Sequence, residues 1–95
     1  MVYLLDTRAS YQGFWEYPDG KILEINGDVW NLYEDDGVTL FANGPILYEA
    51  GVAWLMNEDG SSGGGRVYFD EDGNLIESGM ILTYRGMSRD DVPNG

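Results

Sequence analysis

Ile22-Leu23-Glu24-Ile25-Asn26-Gly27-Asp28-Val29-Trp30-Asn31-Leu32-Tyr33 is the stretch that decides the fold. Two short apolar runs are separated by Asn-Gly. Asn-Gly and Asp-Gly favour positive φ, which tight two-residue hairpin turns require. The stretch therefore predicts two antiparallel strands joined by a tight turn. The same punctuation recurs along the chain, at Asp19-Gly20, Asp36-Gly37, Asn43-Gly44, Ala50-Gly51, Asp59-Gly60, Asp72-Gly73 and Ser78-Gly79.

Working outward, short runs rich in Val, Ile, Leu, Trp, Tyr and Phe lie between these points. They predict strands at residues 2–5, 14–17, 22–25, 29–33, 38–42, 46–49, 52–56, 66–69, 75–77 and 80–84. The expected fold is all-β: an up-and-down antiparallel meander of eight to ten short strands forming a small barrel or curled sheet. Residues 1–86 read as one β-barrel-like domain, and residues 87–95 as a disordered C-terminal tail. Ser61-Ser62-Gly63-Gly64-Gly65 reads as a flexible loop.

Alternation assigns faces. Trp15 with Tyr17, Trp30 with Leu32, and Val38 with Leu40 and Ala42 form the expected core. Val52, Trp54 and Met56 join it, as do Met80, Leu82 and Tyr84. Phe14, Phe41, Leu47, Leu55 and Ile81 fall on opposite faces and need burial or a partner. Two hairpins, 13–24 and 65–77, resemble each other: an aromatic strand, an Asp-Gly turn, then an aliphatic strand ending in Glu.

Seventeen acids face five bases, for a net charge of −12. Such a field repels nucleic acid and anionic membrane and attracts basic surfaces. The chain has no His and no Cys. Without them the commonest general base, nucleophile and transition-metal ligands are missing. Carboxylate catalysis would need a cleft that raises one pKa, which solvated turn acids do not provide. Glu16, Glu24 and Glu77, inside strands, are expected to point outward. Aligning Gly73 with the glycine of a calcium loop leaves Tyr68 and Gly79 where carboxylates are required, so a plain acidic turn is expected there. The expectation is a protein without catalytic residues, cofactor or metal. No secretory signal pattern opens the chain, which points to the cytoplasm, or to a secreted protein whose signal has been removed.

Tyr11-Gln12-Gly13-Phe14-Trp15 resembles the Gly-x-Trp opening of lipocalin-like (calycin-like) barrels, and the 24–30 hairpin is similar to one in small lipocalin-like bacterial domains. The resemblance implies that Trp15 closes the barrel floor and that Arg85, after the last strand, stacks on it. It also implies a small-molecule or glycan-binding module, for which Phe14 and Phe41 are the candidate ligand-binding residues. Residues 68–75 with Gly79 resemble one choline-binding or glucan-binding wall repeat, but a single copy has no neighbour with which to build a cage.

In a ten-strand meander the acidic turns fall at one end, bringing together Asp19, Glu34, Asp35, Asp36, Glu49, Asp70, Glu71 and Asp72. Asp19, Glu34, Asp35, Asp36, Asp70, Glu71 and Asp72 are therefore the candidate partner-binding residues, for a basic protein surface such as that of a nucleic-acid-binding protein. In composition the chain resembles small phage-encoded inhibitors of nucleases, anti-CRISPR proteins among them. That likeness implies a non-catalytic inhibitor that occupies a phosphate-binding groove.

Overall fold

In the computed structural model, which describes residues 10–57, 59 and 65–87, the runs between glycines become eight strands. They are β1 (Gly13–Glu16), β2 (Ile22–Asn26), β3 (Val29–Tyr33), β4 (Leu40–Glu49), β5 (Val52–Leu55), β6 (Arg66–Phe69), β7 (Leu75–Glu77) and β8 (Met80–Gly86). Each pairs antiparallel with its neighbour in sequence, and β8 returns to β1 to close a barrel. The closing register sets Trp15 opposite Tyr84 and Glu16 opposite Thr83. Residues 2–5, expected as a strand, and the tail beyond Met87 lie outside the described residues.

Local chemistry makes the turns. In the β1–β2 turn Gly20 N–H donates to Tyr17 O at 2.9 Å and Tyr17 N–H to Lys21 O at 2.9 Å. In the β6–β7 turn Gly73 N–H donates to Asp70 O at 3.0 Å and Asp70 N–H to Asn74 O at 2.9 Å. Gly20 and Gly73 hold φ of 97° and 85°. The two hairpins look alike because they solve the same turn in the same way. Tighter two-residue turns join β4 to β5 and β7 to β8, with Glu49 opposite Val52 and Glu77 opposite Met80. Both central residues there have positive φ: Ala50 at 55° with Gly51, and Ser78 at 52° with Gly79.

Asn43-Gly44 is not a turn, which corrects the sequence reading. β4 runs straight through it, pairing with β3 along its first part and with β5 along its second. Gly44 serves close approach instead. A Cβ there would lie 2.2 Å from Met56 O, because the Trp30 indole crosses this point to donate to the same carbonyl at 2.9 Å. Merging two expected strands into one moves every later turn to the other end of the barrel.

Eight strands give an interior that side chains can fill. Tyr11, Trp15, Tyr17, Leu23, Ile25, Trp30, Ile46, Ala53, Leu55, Val67, Leu75 and Leu82 fill it, with Leu32, Ala42 and Met80 packed against them. Four further expectations are corrected. Ala53 and Leu55 point inward from β5, so Trp54 lies on the outer wall opposite Arg66. Val38, Leu40 and Tyr84 are exposed. Phe14, 4% exposed, is buried on the outer wall with Ile22 and Tyr33 and offers no surface to a ligand, whereas Phe41 is 59% exposed. Finally, Glu77 shares the inner face of β7 with Leu75 and is buried.

Candidate functional site

Strand count decides which acids meet. At the upper end lie the β1–β2, β3–β4, β5–β6 and β7–β8 connections; at the lower end lie β2–β3, β4–β5 and β6–β7. Asp19, Glu34, Asp35 and Asp36 therefore share the upper end, where a Cβ built on Gly20 would sit 3.2 Å from Asp35 Cβ. Asp70, Glu71 and Asp72 share the lower end with Glu49 and Asp28. The single acidic end expected from sequence is thus two.

Within each cluster the carboxylates divide by job. Asp19 accepts from Lys21 N–H at 3.0 Å and from Lys21 Nζ at 3.1 Å. These bonds hold its carboxyl below the usual Asp value, and the same contact raises the Lys21 ammonium. Asp36 Oδ1 accepts from Val38 and Thr39 N–H, both at 2.8 Å, and its other oxygen accepts from the Thr39 hydroxyl. Asp70 Oδ1 accepts from Asp72 and Asn74 N–H, both at 2.9 Å, which lowers its pKa. The turn's own amides thus occupy one oxygen of Asp70. The three residues close their own turns. Asp35, Glu71 and Asp72 instead project into solvent, and Glu34 is half-buried beside them.

Cations do little to offset this. Arg85 Nε donates to Glu16 Oε1 at 2.6 Å on the outer wall. It does not stack on Trp15, which corrects the role that the lipocalin-like resemblance implied; Tyr84 meets the Trp15 ring instead, with centroids 4.8 Å apart. The Arg66 guanidinium lies 5.6 Å from the Trp54 ring centroid and 5.5 Å from that of Tyr68. Gly65, Ser78 and Gly79 complete a recess of about 350 Å³ beside this row. Among the described residues no three carboxylates converge as metal ligands do.

The lower end is closed by Trp15, as the lipocalin-like resemblance implied, together with Tyr11 and Gln12, to which the sequence reading gave no role. Tyr11 is buried under the barrel, its ring 4.9 Å from Phe69 and its hydroxyl donating to Gly51 O at 2.5 Å. Trp15 Nε1 donates to Tyr11 O at 3.0 Å. Gln12 accepts from Gly27 N–H at 2.6 Å and donates to the Tyr48 hydroxyl at 3.0 Å. Beside this cap a recess of about 540 Å³ opens between β1, β8 and the β6–β7 turn, walled by Trp15, Leu75, Leu82 and Tyr84. At the upper end Glu77 meets the Tyr17 hydroxyl, and burial together with that carboxylate raises the Tyr17 pKa far above its ordinary value. Alternation from Leu75 was the signal that would have turned Glu77 inward; no sequence pattern marked Tyr11. Neither a protein-family model, nor a curated protein, nor a solved structure matches this chain.

Proposed function

We propose that this domain is a non-catalytic acidic binding protein that engages a basic protein surface, in the manner of a phage-type, anti-CRISPR-like inhibitor of a nucleic-acid-handling protein. One observation carries the reading: Asp35, Glu71 and Asp72 stand in solvent at the barrel ends, while the barrel's Lys21 and Arg85 are committed to Asp19 and Glu16. Net charge of −12 then acts as an outward field rather than as internal pairing. Exposed charges are screened beyond about 8 Å at physiological ionic strength, so binding should weaken steeply with salt. Reversal by Asp35→Lys with Asp72→Lys should slow association more than it speeds dissociation. The test is capture from cells supplied with a candidate nuclease, eluted by a salt gradient and identified by mass spectrometry. Recovery of a basic, nucleic-acid-handling protein at high salt supports the reading; salt-independent retention of a glycan or lipophilic compound overturns it.

The second reading is a lipocalin-like module for a small molecule or glycan. It draws on Gly13-Phe14-Trp15 at the opening of β1, and on the Trp54, Arg66 and Tyr68 row with its adjoining recess. Because side chains fill the barrel, such a ligand would sit on the wall and not inside. Trp54→Ala would abolish glycan retention under this reading and leave salt-sensitive capture unchanged under the first.

A further inference from the structure

We propose that the lower-end recess is an anchor pocket for an arginine side chain carried by the basic partner, which makes this end, and not the upper one, the docking face. The proposal rests on the acidic-binder reading and names the chemistry it recognises. Three properties of the recess converge. Its aromatic wall is Tyr84, packed on the Trp15 ring, and Ser10, Gln12, Asn74 and Thr83 give it polar lining, with Leu75 and Leu82 buried behind them. Tyr84 is 47% exposed, and Met87 on the rim is 65% exposed, so the surface that would be covered is the amphipathic kind enriched at interface centres. The opposite rim is Gly73 and Asn74, which belong to the same turn as the solvent-facing Glu71 and Asp72.

A volume of about 540 Å³ is that of a site for a small ligand or an anchoring side chain. An anion is repelled by the adjoining carboxylates, and a purely aliphatic group leaves them unanswered. A side chain with an apolar stem and a cationic head fits both parts. Arginine fits better than lysine. Its planar guanidinium lies against an aromatic face while its edge N–H groups stay available to carboxylate and amide oxygens, and it is less strongly hydrated than an ammonium. Among the described residues, Arg85 does not fill this role, because it is turned to the outer wall and held by Glu16.

The probes are two synthetic ten-residue peptides of equal charge, one alternating Arg and Gly, the other Lys and Gly. Each is titrated into the full chain at 50 mM and 300 mM salt and followed by calorimetry and amide chemical shifts. The proposal expects the Arg peptide to bind at least fivefold tighter, with shifts at Gly73, Asn74, Thr83 and Tyr84. Tyr84→Ala should weaken it about tenfold and erase the preference for Arg, and Tyr84→Phe should keep that preference. Glu34→Lys with Asp35→Lys should change affinity less than Glu71→Lys with Asp72→Lys. Equal, salt-sensitive binding of both peptides, or shifts confined to the 34–39 turn, overturns the anchor pocket and leaves the acidic-binder reading standing. Binding of neither peptide at 50 mM salt overturns both. If Tyr84→Ala does not fold, Tyr84→Phe and the shift map decide between these outcomes.

Discussion

Gly44 and Tyr17 show how much a single residue decides. Gly44 has no room for a side chain: the Met56 carbonyl and the Trp30 indole nitrogen occupy the place of its Cβ. Gly44→Ala must displace backbone and break the Trp30 hydrogen bond, at an expected cost of about 2–3 kcal/mol. Urea denaturation checks this, and an unchanged midpoint would contradict the geometry. Tyr17 carries a pH prediction. Its folded pKa lies above its ordinary value of 10.0, through burial first and then the Glu77 carboxylate. A raised pKa means the folded state keeps a proton that the unfolded chain releases. The stabilisation is therefore complete below pH 10 and drains away as pH rises toward the folded value. Alkaline unfolding should begin only above about pH 10, and Tyr17→Phe should flatten that slope. Absorbance of ionised tyrosine against a circular dichroism melt separates titration from unfolding.

Among the elements, turns were the most legible and the least uniform. Asp-Gly at 19–20, 36–37 and 72–73 did what their chemistry suggests: each Gly takes the positive φ, Asp19 and Asp36 bond their own turns, and in the third turn Asp70 does so in place of Asp72. Asn43-Gly44 misled for a physical reason. A glycine serves either through its dihedral freedom or through its missing side chain, and only the tertiary partner, here Trp30 over Met56, says which. That one misreading split β4 and joined two acid clusters that lie at opposite ends. The inward face of β5 was missed similarly, since Val52 and Trp54 compete with Ala53 and Leu55 and the small Ala53 gives no hydrophobic signal. Ala50 and Ser78 supply a prediction at this scale. Both hold a left-handed conformation that costs an ordinary residue roughly 1–2 kcal/mol. Ala50→Asn and Ser78→Asn should each stabilise by about 0.5–1 kcal/mol, raising the thermal midpoint additively because the two turns lie at opposite ends.

For the whole molecule, barrel closure has a kinetic meaning. Seven of the eight strand pairings join neighbours across a turn or short loop, and only β1 with β8 spans nearly the full described chain. Closing a segment of about 70 residues costs roughly 2 kcal/mol more in chain entropy than closing one of five. Contacts along that seam therefore repay their cost last. The meander should zip progressively from local hairpins, and the slow step should be the meeting of its two outermost strands. Run in reverse, the same logic makes the seam the place where the barrel opens first. Native-state hydrogen exchange should find the amides of Glu16 and Thr83, which face each other across the seam, less protected than those of Glu24 and Asn31 across the β2–β3 ladder. A lower-end partner gripping Trp15 and Tyr84 would then act as a clasp, slowing the barrel's unfolding without touching the rate at which it forms.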